Sequence, residues 1–209
     1  MKMKMLSMAT AVIMAVTCLT GCCNAFKADS IVKAAEKYSM DKMENLRDMD
    51  DELKMYSKGR ENSAYYVSKN DSEANLMYAA YINLVPGTFP DISVEEFVYC
   101  IDTKLDKNSG YNRQTEIYMV TAKDEKSASE LYDVYVKSCS SYDCSSGEKD
   151  GYTYTIAFIG NEDRSMTVGL YLKGKTLIKI SGGGDVVKSD CSEFFCKEIG
   201  LISPQTLEK

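Results

Sequence analysis

Eight cysteines and 31 carboxylates carry most of the reactive chemistry available to this 209-residue sequence, and they act without a single histidine. That absence removes Ser-His-Asp and Cys-His catalysis, histidine metal sites and histidine pH switching together. A conventional hydrolase or metalloprotease is therefore excluded. The remaining route to an enzyme is a pair of carboxyls, one protonated and one ionised by their surroundings, as in glycan cleavage. Glu95, Glu96, Glu116 and Asp185 are the acids from which such a pair could be drawn.

Two stretches approach known ligand loops without completing them. Asp106-Lys107-Asn108-Ser109-Gly110, running on to Glu116, has the flavour of a calcium loop, but Gly110 and Glu116 each fall one position early, so the ligands would not converge. It reads better as a hairpin turn. Gly182-Gly183-Gly184-Asp185 stands between an expected strand and an expected helix, where phosphate loops occur, yet lacks the lysine and hydroxyl of the P-loop pattern. A strand-to-helix turn with Asp185 or Ser189 near the helix start is the simpler reading, with an anion site on the exposed amides as a minor one. The absence of tryptophan weakens an aromatic sugar platform, although 15 tyrosines could partly substitute.

The N-terminus carries the strongest signal. Lys2 and Lys4 precede a run from Met5 through Leu19 without charge, which is the layout of a signal peptide. The run is shorter than the roughly 20 residues a helix needs to span a bilayer. Leu19-Thr20-Gly21-Cys22 closes it and, at all four positions, resembles the lipobox of bacterial lipoproteins. The resemblance implies cleavage before Cys22, a diacylglyceryl thioether on its sulfur and attachment to the outer side of a membrane. It covers residues 1–22 alone. Thr17 and Cys22 precede the neighbouring Cys18 and Cys23, where a lipobox requires a small residue, so neither offers a competing site.

Once Cys22 is lipidated, Cys23, Cys100, Cys139, Cys144, Cys191 and Cys196 remain. Cys139 closes an expected helix and Cys144 lies in the Ser-rich stretch after it, so a local bridge between them is feasible. Buried free thiols are the alternative. Cys191 and Cys196, about 140° apart around an expected helix, cannot pair while the helix is intact. No Cys-x-x-Cys occurs, so zinc and thioredoxin-like chemistry lack support. No cofactor is implied.

Cleavage takes two lysines and no acid, which moves the formal charge from −6 to −8. Such a surface repels phosphate backbones, arguing against nucleic acid, and leaves membrane contact to the lipid. The expected partners are the membrane, through lipid on Cys22, and an envelope protein or small-molecule ligand.

The elements that must position these residues follow from periodicity. Residues 22–29 form a short tether, and 30–58 a helical lead-in that is either one continuous rod or breaks near Ser39, where a second helix could start at Met40 or Asp41. A strand at 64–68, a helix at 72–83 capped by Asp71 or Ser72, and a turn at 85–90 come next. Residues 95–104 and 114–121 alternate as a hairpin, and 125–140 returns to helical period. Three runs, 153–160, 165–172 and 175–181, read as an antiparallel meander. A helix over 187–199 ends at Gly200, with Leu201 making the accompanying apolar contact. The expectation is one α+β domain over 30–209, two-layered, with a mainly antiparallel sheet of about five strands and helices on one face.

Overall fold

The computed structural model describes residues 25–45, 47–48, 62–85, 87–105, 112–160, 165–184 and 190–207. Among the described residues the helices α1 (Ala28–Lys37), α2 (Asp71–Tyr81), α3 (Glu125–Cys139) and α4 (Asp190–Ile199) pack on a single sheet. Its strands are β1 (Asp41–Lys42), β2 (Asn62–Val67), β3 (Val94–Leu105), β4 (Asn112–Ala122), β5 (Asp143–Lys149), β6 (Tyr152–Gly160), β7 (Ser165–Lys173) and β8 (Thr176–Gly184). Their order is β1-β2-β3-β4-β8-β7-β6-β5. Every neighbouring pair is antiparallel except β1 with β2. The α+β class stands, but the sheet has eight strands rather than about five.

The helices also cover both faces rather than one. Phe97, Tyr99 and Ile101 of β3 pack with α2 and α3, whereas Val98 and Cys100 pack with α1 and α4. Tyr118 and Val120 of β4 join the first core, and Ile117 and Met119 the second. A half-exposed strand alternates apolar with polar; the unbroken runs Phe97–Ile101 and Ile117–Val120 do not, because both sides of these strands are dry. The result is three layers.

Of the two readings of the lead-in, the break near Ser39 is the one observed, but a different element follows. Tyr38 caps α1, Ser39 adopts φ 66°, and the amides of Ser39 and Met40 bond to the carbonyls of Glu36 and Ala35 at 3.0 Å each. That is a Schellman motif with serine in the left-handed position, and Met40 returns to bury itself against Ala35. The chain then enters β1, beside Ala64 and Tyr65 of β2, where a second helix was expected. Residues 46 and 49–58 of the lead-in lie outside the described residues. At the other end of the chain Gly200 has φ 75° and Leu201 donates to Cys196 O at 2.8 Å, the stop that the sequence announced.

Asn70, rather than Asp71 or Ser72, caps α2, accepting from Glu73 N at 3.0 Å. β5 occupies a stretch read as loop. It is joined to β6 by Asp150 and Gly151, both at positive φ (50° and 77°), the two-residue geometry that Asp-Gly favours. The β5–β6 and β7–β8 turns and the start of β3 share one end of the sheet. α1 runs from that turn end, where Phe26 packs on Tyr152 at 5.8 Å, to the far end, where Tyr38 reaches Asp102.

Candidate functional site

Glu96 and Glu116, two of the acids from which a catalytic pair could be drawn, do not meet. Glu96 pairs across β3–β4 with Thr121, five positions from Glu116, a separation of about 17 Å along a strand. They also face opposite ways, since Glu96 feels Asp29 of α1 while Glu116 accepts from Tyr99 on the α2/α3 side. Burial, and then the like charge of Asp29, raises the Glu96 carboxyl above its ordinary value. Glu95 is engaged by Lys175 in a short ion pair. A two-carboxyl mechanism requires separations of at most about 10 Å. Asp185 lies outside the described residues.

The glycine run is not a free loop. Gly182 and Gly183 are the last part of β8, opposite Thr115 and Gln114 on one side and Thr167 and Met166 on the other. Ladder pairing on both edges occupies the backbone there, so the anion reading fails for these residues. A central strand continuing through three glycines was not legible, because glycine alone signals a turn.

Cys139 and Cys144 lie close together as free thiols, with Cys144 Sγ donating to Cys139 O at 3.1 Å. Cys144 is exposed and Cys139 buried. Cys100, Cys191 and Cys196 are buried, and desolvation pushes their thiols up, that of Cys196 to about 12. None is poised as a thiolate nucleophile. Among the described residues no three cysteine, aspartate or glutamate side chains converge as a metal site requires. Cys22 and Cys23 lie outside the described residues.

Chemistry that the sequence did not single out gathers inside the α2/α3 layer. Tyr81, Tyr99 and Tyr118 stack in series, with ring centroids 4.9 and 4.8 Å apart. Lys179, directly opposite Tyr118 in the β4–β8 register, places its ammonium 5.2 Å from the Tyr118 ring and 5.3 Å from the Tyr135 ring. Desolvation lowers its pKa, partly offset by Glu116. Glu116 itself accepts from Gln114 at 2.7 Å and Tyr99 at 3.3 Å. Burial raises Tyr99, Tyr118 and Tyr135 well above an ordinary phenol. The cation is therefore held by aromatic faces rather than by an ion pair. One signal could have found it: Leu177-Ile178-Lys179-Ile180 places a lysine on an interior face of a central strand.

A second cluster pins α1 and α4 to β3 at the far end. Lys104 donates to Tyr38 Oη at 2.9 Å, Tyr38 donates to Asp102 at 3.3 Å, and Lys104 lies 3.8 Å from the same carboxylate. Burial, with Asp102 adding to it, raises Tyr38 to about 12. The arrangement stores no reactive group; it neutralises a carboxylate that is only 5% exposed.

Large apolar side chains lie exposed on and just beyond α2. Leu76, on α2, and Leu84 and Val85, just beyond it, are 58%, 69% and 63% exposed, and Ala79 and Ala80 between them are exposed as well. Such a concentration on a folded surface is a feature of interaction sites.

No protein-family model matches the chain, and no curated protein does. Among solved structures it is similar to the extracellular domain of PknH from Mycobacterium tuberculosis, at 12% identity over 66% of this chain and 77% of that one, with a TM-score of 0.38.

Proposed function

We propose that this chain is a lipid-anchored extracytoplasmic lipoprotein, cleaved before Cys22, whose folded domain is a non-enzymatic module that binds a protein of the cell envelope. The observation that carries the interaction role is the apolar surface of Leu76, Leu84 and Val85, which the protein's own core leaves uncovered. The anchoring rests on the four matched lipobox residues and fits the start of the fold. The first helix begins at Ala28, six residues after Cys22 in the sequence. Among the described residues no helix is long and apolar enough to cross a membrane.

The test places a photo-crosslinking residue at Leu76 or Leu84 in the full-length protein, in the native cell, beside the same protein carrying Cys22→Ala. The expected result is one defined protein adduct from both positions, lost or strongly reduced when anchoring is lost, and incorporation of a labelled fatty acid that requires Cys22. Fatty-acid incorporation without any adduct at either position overturns the protein-binding role. Incorporation that persists in Cys22→Ala overturns the anchor.

A further inference from the structure

The position of Ala25 on the fold decides which part of the domain faces the bilayer. Only three peptide steps separate it from Cys22, a reach of roughly 11 Å when fully extended. The lipid-bearing sulfur sits at the boundary of the acyl layer, and the headgroup region above it is itself roughly 5–8 Å deep. Ala25 is thereby confined to the headgroup layer or its immediate edge.

Its location on the domain is fixed too. Phe26 packs on Tyr152 at 5.8 Å, and the Lys173 ammonium lies 6.0 Å above the Phe26 ring. Ala25, Phe26 and Lys27 together with Ile31, Ile178 and Ile199 line a hollow of about 190 Å³. The chain thus leaves the fold at the turn end of the sheet, against the β5–β6 and β7–β8 turns. Beside it a second groove, about 360 Å³, is bordered by Glu148, Gly151, Lys173 and Gly174.

We infer that the turn end of the sheet, formed by Asp150-Gly151, Gly174-Lys175 and the Phe26–Lys27 segment, is a membrane-contact surface seated on phospholipid headgroups, and that the far end points away from the bilayer. The inference rests on the proposed lipidation of Cys22. Lys27 and Lys149 make no ion pair within the described residues, and Lys173 Nζ bonds to a backbone carbonyl, that of Asp150, so three ammonium groups are available to lipid phosphates. Asp29, Glu125, Glu148 and Asp150 lie at the same end, so net attraction does not drive the contact. The tether does, and the lysines supply the local pairing.

The test uses the full-length lipoprotein, lipidated in a bacterial host and reconstituted into vesicles of phosphatidylethanolamine and phosphatidylglycerol. A membrane-impermeant amine reagent is applied, and modification is read lysine by lysine by peptide mass spectrometry against the same protein produced without residues 1–22 and free of vesicles. Lys149 and Lys173 should lose reactivity several-fold on the vesicles, while the exposed Lys42 and Lys137, toward the other end, keep theirs. Equal reactivity of the two pairs on protein whose intact mass shows the acyl chains overturns the orientation and leaves the anchor standing. An intact mass without acyl chains overturns both.

Discussion

Single residues in this protein are tuned more by what surrounds them than by where they fall in the sequence. Lys179 looks like an ordinary strand lysine, and only the knowledge that β8 is covered on both faces turns it into a cation enclosed by Tyr118 and Tyr135. Glu96 is the clearer case for measurement. Its raised carboxyl means that the folded state holds the proton more tightly than the unfolded chain, so its contribution to stability is present in acid and lost as pH climbs through the folded value. Glu96→Gln keeps the size and a partner for Thr121 but removes the charge near Asp29. The variant should match the parent near pH 4 and exceed it at pH 7, by less than about 1 kcal/mol because the site is partly exposed and screened. Urea unfolding at the two pH values measures this, and a variant less stable at pH 7 would show that Lys175 outweighs burial. The lipobox was legible from four adjacent residues; the separation of Glu96 from Glu116 was not, since it depends on register and on which face each occupies.

At the scale of elements, the sequence was most readable where the backbone needed a special residue and had it. Gly200 announced the end of α4, and Gly174 the β7–β8 turn. Asp150-Gly151 carries the same kind of turn signal but went unread, because the polar strand before it, Asp143–Lys149, has no apolar face to reveal a hairpin. An edge strand of this kind is marked by its turn rather than by its own pattern. The end of α1 was harder, because the left-handed position is filled by Ser39 where glycine would have been a plain signal. L-residues other than glycine carry a cost of about 1–2 kcal/mol in that conformation. Ser39→Gly should relieve part of it and stabilise the domain by about 0.5–1 kcal/mol, net of the extra entropy that glycine brings to the unfolded chain. Chemical denaturation of the purified domain reads this directly. Loss of stability would mean that the serine hydroxyl has a role that its backbone geometry does not show.

The whole molecule is a sheet sealed on both sides, and the number of layers was the largest thing the sequence reading missed. Its clue was continuous apolar strand segments, which periodicity treats as ambiguous because a strand buried on both faces has no alternation to detect. Sealing both faces buries tyrosines in bulk. Tyr38, Tyr66 and Tyr78 are pushed to about 12, and Tyr99, Tyr118, Tyr135 and Tyr171 further, in every case chiefly by desolvation. In the unfolded chain the same phenols ionise near pH 10. Between those values the folded state retains protons that the unfolded state has lost, so the stability these groups lend is complete below about pH 10 and falls as pH rises past it. Lys179 acts in the opposite direction, since its lowered pKa is relieved as pH rises, but it is one group against seven. Each well-buried tyrosine should remove about 1 kcal/mol per pH unit in this range, and the partly exposed ones less. Urea midpoints should therefore hold steady to about pH 10 and then drop steeply. Tyrosinate absorbance followed alongside should show only a minority of the 15 tyrosines ionising before the fold is lost, with the rest appearing together at unfolding. If most of them ionise gradually while the near-ultraviolet dichroism of the folded state persists, the two cores are wetter than a sheet closed on both faces allows.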